Sequence, residues 1–214
     1  MSSPTVEQLA AALAPLAVDG VVPLPPPPPP PKPAPARPVA PKPAAPAADG
    51  TAPAAAPAAA PAPAPAPAPV APPPPPPPPE PVQVCDFAAR GVHIEAVVRR
   101  DAVVASAELM RTHGFAMDTI TGLDWMAQGL MEVVYDYFHP LSGLRVAIRC
   151  RLARDTEDIP TISHLFQGAN WHERETHDFF GIRFAGHPNL TPFLLPEDAT
   201  FHPLRKDFSG APAE

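Results

Sequence analysis

Only two cysteines are present, Cys85 and Cys150, in no CxxC pair. That excludes a zinc knuckle, an iron–sulfur ligand set and a disulfide framework, and it fits a reducing compartment. Basic residues are also short. The chain has 15 Lys+Arg against 22 Asp+Glu, a net charge of −7, which leaves no field to hold a phosphate backbone and argues against nucleic acid as a partner. No stretch can cross a membrane as a helix: the uncharged run Thr51–Pro79 is largely Ala-Pro, whose backbone cannot be satisfied in lipid. The N-terminus, with Ser2-Ser3-Pro4-Thr5 and then Glu7, lacks the basic n-region of a signal peptide. There is no Gly-rich phosphate loop, no GxSxG elbow and no nucleophile–base pair.

No aromatic residue, histidine or cysteine stands before Val82. What stands there instead is proline: 30 of the 39 prolines fall between Pro23 and Pro81. The chain is thereby divided, and the 134 residues from Pro81 to Glu214 suffice for one domain that buries about two-thirds of its unfolded surface. Four regions are expected: a short amphipathic helix within 1–19, a Pro/Ala-rich disordered linker over 20–82, an α+β domain over 83–184, and an extended interaction arm over 185–214. Thr5 and Gln8 have capping-box spacing, and Val6, Leu9, Leu13 and Leu16 share a helical face. A helix this short needs something to pack on. The linker favours polyproline II, a semi-rigid spacer reaching ~190 Å at ~3.1 Å per residue. Aromatic grooves such as SH3 domains dock proline runs, but Ala-Pro repeats carry little specificity.

Beyond the linker, strands and helices alternate. Val92–Val98 reads as a strand, and Asp101 as the cap of a helix whose Val103, Ala107 and Met110 share a face and which Gly114 ends. Phe115–Thr121 reads as a second strand. Glu132–Phe138 and Leu144–Leu152 make a hairpin around His139-Pro140-Leu141-Ser142-Gly143, and the alternation turns Cys150 to the core. If the turn sets Asp136 opposite Arg145, Glu132 faces Arg149 on the exposed side. Pro160–Phe166 is expected to be a short helix. Asn170 then reads as an N-cap, Glu173 as its N3 partner and Gly181 as the stop of a helix Trp171–Phe180. Two acids in its first turn suit the macrodipole, Arg174 and Asp178 are i, i+4 partners, and Trp171, Phe179 and Phe180 predict partial burial. His172 and His177 are five residues apart, about 140° around a helix, so a zincin pair is refused. A site from His177, His187, His202 and a carboxylate is set aside, because scattered histidines are more often structural.

The blocks Ala169-Asn170-Trp171-His172-Glu173-Arg174-Glu175-Thr176-His177-Asp178-Phe179-Phe180-Gly181-Ile182, Gly186-His187-Pro188-Asn189-Leu190, Leu195-Pro196-Glu197-Asp198 and His202-Pro203-Leu204-Arg205-Lys206-Asp207-Phe208 together resemble the C subunit of bacterial NADH-quinone oxidoreductase, respiratory complex I. The likeness covers about residues 92–208, with the N-terminal helix matching the family's first helix and the proline tract inserted after it. The chain departs from the family pattern at Thr176-His177 and Thr191-Pro192. The resemblance implies an α+β fold, a small mixed or antiparallel sheet packed with helices. It also implies a place in the peripheral arm, on the cytoplasmic side of the bacterial inner membrane, against the quinone-site and iron–sulfur subunits. FMN, iron–sulfur clusters and quinone would be held by those partners and none by this chain. The motif and interface residues are then Trp171, Glu173, Arg174, Glu175, Asp178, Phe180, Gly181, His187, Pro188, His202, Pro203, Leu204, Arg205, Lys206 and Asp207. The same family member is shared with membrane-bound [NiFe] hydrogenases. A free proline-rich adaptor and a stand-alone metal enzyme are the rival classes.

Overall fold

In the computed structural model, residues 4–19, 80–154 and 158–210 are described. The expected disordered tract lies outside them, apart from its last residues, where Val82 opens a strand instead of closing a linker.

Helix α1 (Val6–Leu13) begins at a reciprocal cap: Thr5 Oγ1 accepts from Gln8 N–H at 3.3 Å and Gln8 Oε1 from Thr5 N–H at 3.1 Å. Eight residues are too few for a free helix. Leu9 and Leu13 supply the missing stability, both fully buried in the core. A 3-10 turn, Ala14–Leu16, follows.

Five strands form a mixed sheet in the order β1-β2-β5-β4-β3. They are β1 (Val82–Val84), β2 (Ile94–Val98), β3 (Ala116–Trp125), β4 (Leu130–Phe138) and β5 (Arg145–Ala153). Only β2 and β5 pair in parallel; the other neighbours are antiparallel. A one-turn helix, α2 (Phe87–Arg90), joins β1 to β2, and α3 (Val103–Thr112) joins β2 to β3. After β5, the short strands β6 (Asp158–Pro160) and β7 (Arg183–Ala185) pair in parallel on either side of α4 (Ala169–Phe180). This is the α+β class with a mixed sheet and packed helices.

The alternating residues Val146, Ile148, Cys150 and Leu152 of β5 enter the core with Val103, Ala107 and Met110 of α3. The opposite face of the sheet carries charge, but not as expected. The hairpin closes through His139 N–H to Leu144 O at 2.8 Å and Gly143 N–H to His139 O at 2.9 Å. This sets Phe138 opposite Arg145, so Asp136 faces Ala147 and Glu132 faces Arg151. Glu132 is also fully buried rather than exposed. Its carboxylate accepts from Arg151 Nε at 3.0 Å, Arg149 Nη1 at 3.3 Å and Trp125 Nε1 at 3.1 Å, partners that satisfy a charge too costly to bury alone.

Three further expectations fail for local reasons. Asp101 does not cap α3; it lies within a 3-10 turn, Arg100–Ala102, and pairs with Arg99 at 3.4 Å. Pro160–Phe166 is not a helix, because its first residue completes β6 and the rest makes only single turns onto Ile162 O. Asn170 is not an N-cap: α4 starts at Ala169 behind Gly168, which puts Asn170 inside the helix and leaves no acid in its first turn.

Candidate functional site

Helix α4 crosses β3 at Gly122, where an added Cβ would lie 2.6 Å from Phe180 Cδ2 and 3.0 Å from Thr176 Cγ2. Only glycine permits that approach. From this crossing the helix turns one side inward and offers the other to the residues that follow it.

Glu173, fully buried, does not cap its helix but reaches across to the loop after β6. Its carboxylate accepts from the Thr161 hydroxyl and from Ile162 N–H at 2.8 Å. Burial pushes the Glu173 carboxyl up to about 7, against the downward pull of those two hydrogen bonds. His187 Nε2 stands 3.8 Å from it, too far for a hydrogen bond. The ring donates instead from Nε2 to Asn170 O at 3.3 Å and accepts at Nδ1 from Asn189 N–H at 3.2 Å. Burial moves the His187 pKa down, so at neutral pH the imidazole is uncharged and forms no ion pair.

Arg174 and Asp178 do not pair with each other. Each takes hold of the segment after β7. Arg174 donates to Thr191 O at 3.0 Å, Thr191 Oγ1 at 3.3 Å and Pro192 O at 2.9 Å, and its guanidinium lies 4.9 Å from the centroid of the Phe193 ring. Asp178, buried, accepts on one oxygen from the N–H groups of Phe193, Leu194 and Leu195 at 2.7, 2.7 and 3.3 Å. A single carboxylate thus replaces the regular backbone partners that the neighbouring prolines deny this stretch.

The end of α4 is closed by the same segment. A helix leaves its last four carbonyls without partners inside the helix. Here Gly181 N–H bonds His177 O at 2.7 Å, His202 Nδ1–H bonds Asp178 O at 2.8 Å, Leu204 N–H bonds Phe179 O at 3.1 Å and Arg205 Nε–H bonds Phe180 O at 2.7 Å. Gly181 takes the left-handed conformation, φ 73°, and a Cβ there would lie 2.5 Å from His202 Nε2 and 2.6 Å from Arg205 Nη2. Pro203 is half-buried within this closure. Beyond it, Lys206 N–H bonds Asp124 Oδ2 at 2.8 Å, and Arg154 joins Asp124, held by two bonds of 3.1 Å, to Asp207 at 2.8 Å. Hydrogen bonding to Asp207 and Asp124 holds the Arg154 pKa above its ordinary value, and that to Arg154 holds Asp207 below its own.

The segment expected as an extended interaction arm over 185–214 is therefore tied to its own domain at points from His187 to Asp207. The departures from the family pattern serve this internal packing. Thr176 is buried against Gly122, His177 donates from Nδ1 to Ile182 O at 2.9 Å, and Thr191 is an acceptor for Arg174. Trp171 corrects another expectation, being 65% exposed, with its ring stacked on Phe193 at 6.3 Å. Leu194, Phe201 and Leu204 are exposed farther along the arm. Glu175 is half-buried in a notch with Thr119, Thr121, Phe179 and Leu204, and exposed Pro188 borders the cleft at the start of α4 with His164 and Asn170. His177, His187 and His202 each bond a backbone carbonyl, and among the described residues no group of three His, Cys, Asp or Glu could hold a metal ion. Asp124, Arg154 and Thr161 carry no signal in the sequence because their partners lie 12 to 82 residues away.

Residues 96–214 match the family model described as "Respiratory-chain NADH dehydrogenase, 30 Kd subunit". The C subunit of the F(420)H(2) dehydrogenase of Methanosarcina mazei is 38% identical over 98 residues, 44% of this chain and 60% of that protein. The C subunit of the NADH-quinone oxidoreductase of Chlorobium phaeobacteroides is 40% identical over 93 residues, 43% of this chain and 56% of that protein. The chain thus spans little more than half the length of these curated relatives. Among solved structures, a chain of the membrane-bound sulfane sulfur reductase, an archaeal respiratory membrane complex, superposes with a TM-score of 0.51 and 30% identity over 55% of this chain and 72% of its own. With the match running over more than half of its length, this chain belongs to the family of the 30 Kd subunit of the respiratory-chain NADH dehydrogenase.

Proposed function

We propose that the chain is a non-redox member of the peripheral arm of a proton-translocating NADH:quinone oxidoreductase. Its task is to hold together the neighbours that carry FMN, iron–sulfur clusters and the quinone site, on the cytoplasmic side of the bacterial inner membrane. The observation that carries this reading is the apolar surface formed on α4 and the arm. Trp171 and Phe193 stack in the open, and Leu194, Phe201 and Leu204 stay exposed although every segment bearing them is fixed by hydrogen bonds to the domain. Aromatic residues presented on a rigid base are what an interface core requires. No helix among the described residues is long and apolar enough to cross a membrane; in the proposed role, attachment to the membrane runs through partners.

Affinity isolation of the tagged chain from native membranes tests the proposal. Flavin- and iron–sulfur-containing subunits should come down with it in fixed ratio. Recovery of the chain alone, or with proline-binding adaptors only, would overturn it. The likeness to the F(420)H(2) dehydrogenase protein supports a second reading, the equivalent member of a complex with a different electron donor. Oxidation of NADH, but not of reduced F420, by the isolated complex decides for the first.

A further inference from the structure

Composition alone makes the proline tract a spacer between a helix and a domain. Its two ends contradict that arrangement. Val18 N–H donates to Val97 O at 3.0 Å, and Val97 N–H donates to Pro81 O at 2.7 Å. Both feet of the tract therefore stand on one residue of β2. In an antiparallel ladder, two directly opposed residues of a hydrogen-bonded pair exchange both bonds. Pro81 has no N–H to give, and Val18 supplies the donor that Val97 O would otherwise lack.

The register on either side of this point is continuous. Ala17 bridges Val98 in antiparallel fashion, while Val82, Gln83 and Val84 stand opposite Ala96, Glu95 and Ile94. Reading β2 backwards from Val98 to Ile94, its edge partners are Ala17, then Val18 and Pro81 sharing Val97, then Val82, Gln83 and Val84, with no position missed. The facing agrees as well: Ala17 is buried and Val82 packs against the core, two places apart on that line. Arg99 fixes the upstream half, donating to Pro15 O at 3.2 Å and Ala17 O at 3.0 Å.

We infer that Ala17–Val18 and Val82–Val84 are two halves of one edge strand, and that residues 19–81 are an insertion within it. The tract then sets no distance between α1 and the rest of the domain. Whatever engages it is held at the β1 edge of the sheet, and the fold does not depend on it.

Two deletions separate this from the spacer arrangement. Removing 19–81 joins Val18 to Val82 in register, and removing 19–82 shifts the downstream half by one place, which turns Gln83 to the core side. Thermal unfolding and hydrogen exchange of both variants and the full chain give the readout. The first variant should melt at least as high as the full chain, since a long loop closure is no longer required, with the Val97 amide protected. The second should melt lower, with that edge unprotected. Equal melting of the two variants, or loss of Val97 protection in the first, would overturn the inference.

Discussion

At the scale of single residues, Glu173 gives the sharpest prediction. Its folded pKa, about 7, lies above the ordinary carboxyl value. A group raised in this way stabilises the fold below its unfolded pKa and loses that contribution as pH rises through 7. The shift corresponds to an upper bound on the order of 3 kcal/mol. His187 acts in the other direction: its pKa is lowered on folding, so its contribution is present above the ordinary imidazole value and is lost as pH falls below it. The Glu173 contribution is thus lost progressively as pH rises from the ordinary carboxyl value to about 7, a decline that thermal unfolding of the native chain should show. Glu173→Gln keeps an acceptor for Ile162 N–H and an amide facing the Thr161 hydroxyl. It should flatten that decline and leave the loss that His187 contributes below the ordinary imidazole value, and an unchanged decline toward about pH 7 in that variant would refute the assignment. Glu173 is visible in the sequence as a candidate, but with the wrong partner. Capping-box spacing identifies an acid three places after a polar residue, whereas the deciding fact is that α4 starts earlier, at Ala169.

The element most exposed to a test is the closing turn of α4. Gly181→Ala should cost about 1–2 kcal/mol from the left-handed backbone alone, and more from displacing His202 and Arg205; a melting temperature equal to that of the native chain would show that the closure contributes nothing. The arm gives a second prediction. Limited proteolysis of the free chain should spare Phe193–Phe208, which Asp178 and the end of α4 hold in place. Arg174→Ala removes the bonds to Thr191 and Pro192 and should open cleavage near them with the sheet intact. Rapid cutting of the native arm would mean that these bonds do not hold it in solution. Elements with a strong period are legible in the sequence: strict alternation identifies the β4–β5 hairpin and the burial of Cys150. The hairpin's register is not, because the two-residue shift depends on how His139 and Leu144 close the turn. Pro160–Phe166 misleads for a similar reason, since β6 exists only by pairing with β7, more than twenty residues later.

For the whole molecule, the proposed assembly role rests on the apolar surface rather than on the charged motif residues. Replacing Trp171 by alanine should leave the melting temperature of the free chain nearly unchanged, because Trp171 is mostly exposed, while co-isolation of partner subunits falls sharply. Unchanged co-isolation would place the interface elsewhere. The motif blocks are readable in the sequence as a family signature, but their chemistry is not. The aromatic residues of the helix point to partial burial and to fixed partners for its charges, but which partners is shown only by the folded chain, where Glu173, Arg174 and Asp178 are each bound to a loop 11 to 18 residues distant. Most of the candidate site is therefore non-local, and only its glycine stop and its aromatic content can be read from the chain. The closing turn of α4 also has a consequence in time. Its final carbonyl is satisfied by Arg205, 25 residues downstream of Phe180. At roughly 5–20 residues per second of synthesis, the end of the helix waits for its partner while the sheet before it is already complete in sequence. Asp124 and Arg154, which bond each other, both precede that interval in the chain, whereas Lys206 and Asp207, which bond to them, follow it.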